Sequence, residues 1–123
     1  MNEASAAQRL RNVPGLFVVK IDATALTMGI PDYAYVVRRE RRTGMLELKY
    51  GRWPCDTLGH GLTRYQAAWL TRWRANGGNA RVLLMHERGC VIWDRAFVGL
   101  IDRARDVEPC YAGACDKAIL RSL

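Results

Sequence analysis

The sequence predicts an α/β protein, a mixed β-sheet flanked by helices. Three observations carry that prediction. Short apolar, partly β-branched runs recur along the chain, as strands require. Polar linkers containing glycine separate them, and two of the longer intervals carry helical spacing with capping residues. Hydrophobic residues make up 50% of the 123 positions, enough for a core of one sheet and two or three helices.

Residues 3–12 predict a short helix with Ala6, Ala7 and Leu10 on one side. Gly15 leads into "LFVVK", a first strand ending at Lys20. The stretch from Asp22 to Gly29 has no period and predicts a loop. Strands over 32–38 and 44–50 follow, and the linker "RERRTG" is too polar to bury, so a hairpin joins them. Beyond a loop with Gly51, Pro54, Gly59 and Gly61, "LTRYQAAWLTRWRANGG" is the clearest helix. Thr63 is its N-cap, Gln66 completes a capping box, and Gly77 and Gly78 stop it. Leu70 and Trp73 share a side with Gln66 and are expected to face inward, Trp69 and Trp73 serving the core. "ARVLLMH" (80–86) and "CVIW" (90–93) predict a second hairpin around Glu87–Arg88–Gly89. "DRAFVGLIDRAR" predicts a last helix capped by Asp94, and from Asp106 onward no pattern is readable. One domain over residues 1–123 is expected, its core running to about residue 105.

Lys and Arg number 19 against 12 Asp and Glu, a net charge of +7 with a pI of about 9.7. A pI above about 9 is an electrostatic footprint of nucleic-acid binding. Only Lys20, Lys49 and Lys117 are lysines. The rest of the positive charge is arginine, whose planar fork suits phosphate, although genome composition alone also produces such a bias. Lys20, at the end of the first strand, and Arg38, Arg39, Arg41 and Arg42, around the hairpin turn, are the candidate DNA contacts. No apolar run approaches the roughly 18–20 residues that cross a bilayer, and "MNEASAAQRLRNV" lacks the order of a signal peptide. A soluble cytoplasmic protein with no membrane partner is expected. Cys55, Cys90, Cys110 and Cys115 follow no zinc spacing, and Cys110 and Cys115 are set wider than a CxxC pair. Reduced structural thiols are expected.

"GIPDYAYVV" (29–37) and "GMLELKYG" (44–51) carry the chemistry. Alternation along a strand turns Glu47 and Lys49 one way and Leu46, Leu48 and Tyr50 the other. If the hairpin closes near Arg41, its open end brings Asp32 to Glu47 and Lys49. Two carboxylates in one place repel unless a proton or a metal sits between them. Hard oxygen ligands favour Mg²⁺, for which Mn²⁺ can substitute, and the Leu48 carbonyl adds a third oxygen. Taken separately, Pro-Asp is a turn and Glu-x-Lys a surface ion pair. Together, on adjoining strands, they favour a site.

With "LTRYQ" following, these segments resemble the PD-(D/E)xK nuclease superfamily, and within it the small Holliday-junction resolvases and the virus-type replication-repair nucleases. The resemblance covers roughly residues 1–86 and puts Asp32, Glu47 and Lys49 in the motif positions, with Gln66 in the following helix. It implies an αβββαβ restriction-endonuclease-like core and Mg²⁺-dependent endonuclease activity. It also implies a further acidic residue in the first helix, for which Glu3 is the candidate. Gln66 then has two accounts, helix cap and active-site contact. The expected function is a metal-dependent endodeoxyribonuclease of phage or mobile-element type, acting on branched DNA as a homodimer (in the host cytoplasm if phage-encoded). The competing expectation is a basic DNA-binding module on the same fold that does not cut.

Overall fold

The computed structural model describes residues 1–22 and 28–123. The loop predicted over 22–29 therefore lies mostly outside the described residues. Helix α1 (Glu3–Arg11) starts at Asn2, whose side chain accepts from the Ser5 N–H at 2.8 Å while Ser5 Oγ accepts the Asn2 N–H. Ala6, Ala7 and Leu10 are its buried stripe, as their spacing predicts. Strands β1 (Leu16–Lys20), β2 (Tyr33–Val37) and β3 (Arg42–Tyr50) follow, then α2 (Arg64–Ala75), β4 (Ala80–His86) and β5 (Gly89–Trp93). A sixth strand, β6 (Tyr111–Gly113), comes from the chain end.

These strands form one sheet in chain order, β1 to β6. Every neighbouring pair is antiparallel except β3 and β4, which α2 connects and which run parallel. The sheet is mixed, and the order helix, three strands, helix, strand is the one expected. Its two faces hold separate cores. On one, Leu46, Leu48, Leu83 and Met85 pack beneath α1 and the chain end. On the other, Val82, Leu84 and Val91 pack against Ala67 and Leu70 of α2. Burying one such leucine contributes about 1.5–3 kcal/mol, so α2 is held to β4 and β5 chiefly by this contact. Among the described residues no helix is long and apolar enough to cross a membrane.

Three expectations fail. The last helix is absent: residues 94–106 instead form 3₁₀ turns at Phe97–Leu100 and Ala104–Asp106. Ala96 has φ 58°, a left-handed conformation that no α-helix interior holds, and Asp94 pairs with Arg95 at 3.2 Å rather than capping. A straight helix there would carry the chain away, whereas the turns bring Cys110 back to donate its N–H to the Ile92 carbonyl at 2.8 Å and start β6. The chain end is the second failure. Ile119 and Leu123 are buried, and Arg42 and Arg81 donate to the carbonyls of Leu120, Ser122 and Leu123 at 2.6–3.2 Å. Trp73 is the third: it is exposed, stacked on Trp69 outside the core. The cysteines form no disulfide; Cys90 is buried in β5, and Cys115 of the chain end packs against the same core.

Candidate active site

Strand β3 outruns β2. The last rung between them pairs Tyr33 with Leu46, and from there to Tyr50 β3 has only β4 beside it. Asp32 enters at this break, and its main-chain N–H donates to Glu47 Oε2 at 3.3 Å. Its carbonyl accepts from the Ile21 N–H at 2.6 Å, which ties the same residue to the end of β1. Alternation turns Glu47 and Lys49 to the α2 face, level with Val82 and Leu84. The hairpin therefore brings Asp32 to Glu47, as its closure near Arg41 requires.

Gly29 lets the loop carrying Asp32 approach α2. It has φ +86°, and a Cβ there would collide with the Tyr65 carbonyl in the first turn of the helix. That turn is set by the predicted capping box: Thr63 Oγ1 accepts from the Gln66 N–H at 3.1 Å, and Gln66 Oε1 accepts from the Thr63 N–H at 2.9 Å. The other end of the same amide points inward. Gln66 Nε2 donates to Glu47 Oε1 at 2.6 Å. Lys49 Nζ donates to Gln66 Oε1 at 3.4 Å and lies 3.5 Å from Glu47 Oε1. A main-chain N–H and an ammonium are donors only, so the amide oxygen faces them and its NH₂ faces the carboxylate. Both accounts of Gln66 describe the same side chain.

Glu47 is 1% exposed. Burial, and then the charge of Asp32, push its carboxyl up to about 7, against the pull of Lys49 and of the Asp32 N–H. Burial, and then the charge of Glu3, raise the half-buried Asp32 carboxyl as well. Two neighbouring carboxyls that both resist ionisation mark a place short of positive charge. Lys49 alone does not supply enough.

The donor set is small. Among the described residues no three His, Cys, Asp or Glu side chains gather into a metal cluster. Asp32 and Glu47 meet here, and strand geometry offers a main-chain oxygen beside them. Met45 and Gly51 direct their N–H groups to Asn79 and Met85, on the β4 side. Peptide groups alternate along a strand, so the Leu48 carbonyl faces the opposite edge, where β2 has ended. One or two carboxylates plus water is the usual demand of Mg²⁺, and this set fits it.

The remaining predicted residues divide by position. Glu3 lies at the margin of the site, its carboxylate 3.2 Å from Lys20 Nζ on an exposed surface. That contact raises the Lys20 ammonium above its ordinary range. Arg38, Arg39 and Arg41 sit at the closed end of the hairpin, the other end of β2 from Asp32. Arg42, in β3, has its guanidinium on the chain end. His60 packs edge-on against Tyr50 with centroids 6.1 Å apart, and His86 Nδ1 accepts the Arg88 N–H at 3.2 Å. Sequence reasoning missed the Asp32 N–H as a partner of Glu47, because a motif written in side chains does not contain it.

No protein-family model matches the chain, and no curated protein matches it either. Among solved structures it is similar to Hjc, a Holliday junction resolvase from the archaeal hyperthermophile Archaeoglobus fulgidus. The two are 16% identical with a TM-score of 0.46, over 74% of this chain and 68% of that one.

Proposed function

We propose that this protein is a Mg²⁺-dependent endodeoxyribonuclease acting on branched DNA, with Asp32, Glu47, Lys49 and Gln66 as its working residues. The observation that carries the proposal is the meeting of two charge-starved carboxyls with a lysine where β3 outruns β2. Asp32, Glu47 and the Leu48 carbonyl would hold the ion. Magnesium there would supply positive charge to a phosphodiester. Gln66 holds the Glu47 carboxylate in one orientation by its 2.6 Å hydrogen bond, a preorganisation that need not be made again at each turnover. Lys49, with 15% of its side chain exposed, has room to present an ammonium to the phosphate oxygens or the attacking water. Glu3 and Lys20 border the site and would meet the DNA backbone as a pair. A single small domain presents one such site, so cutting both strands of a symmetric branch suits a homodimer.

The deciding experiment is cleavage of linear, nicked and four-way-junction DNA, with Mg²⁺, with Mn²⁺ and with chelator. Cleavage that needs the metal and disappears in Asp32→Ala is the expected result. DNA binding without cleavage under any of these conditions would leave the basic DNA-binding module in its place.

Charge makes a separate prediction. The excess of arginine should give DNA affinity that falls steeply with salt. If six phosphates are neutralised, log K against log[salt] has a slope of about −5. Anisotropy titrations with catalytically silent Ca²⁺ measure it, and a flat salt dependence would remove the electrostatic basis for a DNA partner.

A further inference from the structure

Helix α2 leaves the site carrying aromatic rings. Tyr65 adjoins Gln66, and Trp69 and Trp73 follow at four-residue spacing, which places all three on one side of the helix. Trp69 packs partly against the core beneath α2, while the rings on either side of it are open. Tyr65 is 46% exposed and Trp73 is 41% exposed. The two indoles stack with centroids 4.9 Å apart and planes within 15° of parallel. Trp73 lies flat over Gly78, where any Cβ would strike the indole, so the glycine after the helix also seats the ring.

The stripe continues onto the sheet. Away from the Glu47 site, the same face of β1–β3 is left open among the described residues. A groove of about 430 Å³ runs there between Trp73 and Phe17, Val19, Val36 and Met45, with Phe17 48% exposed. Arginines accompany the rings: Arg64 lies 5.1 Å from the Tyr65 centroid and Arg38 6.0 Å from that of Phe17. Arg72 lines the adjoining hollow between Trp69 and Trp73. No carboxylate lines either depression among the described residues.

We propose that this aromatic track binds an unpaired strand of the DNA substrate, leading it along α2 from the Glu47 site. Flat apolar rings interleaved with guanidinium groups match what a single strand offers, bases with free faces on a charged backbone. Paired bases inside a duplex have no free face to give. A second copy of this chain is the poorer occupant. A two-fold contact through this face would bury Arg72 with no carboxylate in the depression to meet it. From Tyr65 to Trp73 the helix rises about 12 Å, room for about three base steps of 3.4 Å. The inference deepens the nuclease reading and rests on it for the direction of the track. It makes the substrate a branched DNA with a few unpaired nucleotides beside the cut.

The test is binding in chelator, where no cleavage occurs. Labelled oligothymidylate and a duplex of equal charge are titrated against wild type, Trp73→Ala and Trp73→Phe, with Tm and sedimentation velocity for each. Oligothymidylate is expected to quench wild-type tryptophan emission. Trp73→Ala should weaken its binding about tenfold while duplex binding stays within about twofold, and Trp73→Phe, which keeps a ring face, should restore most of the loss. Absence of quenching in wild type overturns the proposal whatever the variants do. Equal losses on both DNAs, or no loss from a folded Trp73→Ala, also overturn it. A wild-type dimer that Trp73→Ala turns into monomers would assign the face to a second copy. Strong single-strand binding by a wild type that never cuts would refute the nuclease and leave the track standing.

Discussion

Glu47→Gln is expected to abolish metal-dependent cleavage and, in the same molecule, to raise the Tm of the metal-free protein at pH 8. The two effects share one cause. Burial and the charge of Asp32 hold the Glu47 carboxyl at about 7, against an ordinary 4.5. The folded protein therefore keeps a proton that the unfolded chain releases, and stability falls as pH rises through that window. Below about pH 4.5 both states are protonated and nothing is lost. Above about pH 7 the full cost is present, at most about 3 kcal/mol at about 1.4 kcal/mol per unit. Glutamine is neutral throughout, but it offers one acceptor instead of two. It keeps a partner for Gln66 and loses the bond from the Asp32 N–H, which returns about 1 kcal/mol. A net gain of about 1–2 kcal/mol at pH 8 should remain, shrinking towards pH 4.5. Thermal melts of both proteins in chelator across that range measure it. Added Mg²⁺ should then stabilise wild type and not the variant. A wild-type stability that stays level from pH 5 to pH 8 would contradict the charge-starved site.

Lys49→Ala is expected to cut single-turnover cleavage by about 10²–10³ while leaving DNA binding largely intact. The ammonium lies 3.5 Å from Glu47 Oε1 and 3.4 Å from Gln66 Oε1. Its charge is one of the forces holding the Glu47 carboxyl down, so its removal should move the pH–rate profile to higher pH as well as lower it. The loss of rate, not that shift, separates a lysine acting at the reacting phosphate from one that is only an ion-pair partner of Glu47. A surface partner would cost at most about 1 kcal/mol of stability and spare the rate. Equal rates from equally folded proteins would remove Lys49 from the working residues.

Much of this architecture was legible wherever local chemistry decides it. Thr63 and Gln66 announce the start of α2 because a capping box is completed within four residues, and the polar "RERRTG" announces the β2–β3 turn. The nearness of Asp32 and Glu47 then follows from hairpin arithmetic. What stayed hidden depends on partners distant in the chain. Residues 111–113 make a strand only because β5 offers them an edge, and "YAG" alternates too briefly to signal it. The turns at 97–106 follow from the need to return to that edge, which no window of "DRAFVGLIDRAR" contains. Trp73 sits at the spacing of a core residue, yet it lies beyond the part of the sheet that α2 covers. Arg81 looks like a surface charge and is buried, its donors spent on the carbonyls of Ala80 and Ser122.

Gln66 begins a helix with one end of its amide and steadies a buried carboxylate with the other. The consequence concerns which changes in length the chain can tolerate. The loop from Gly51 to Leu62 is itself held by packing, since Leu58 and Leu62 are buried in the core beneath α2 and Trp53 sits edge-on against Trp93. One residue inserted between Thr63 and Gln66 would break the cap and turn the amide about 100° around the helix, away from Glu47. One residue inserted between Glu47 and Lys49 would send their side chains to opposite faces of the sheet. Descent with insertions and deletions therefore has almost no latitude in two short spans, where folding and chemistry draw on the same atoms.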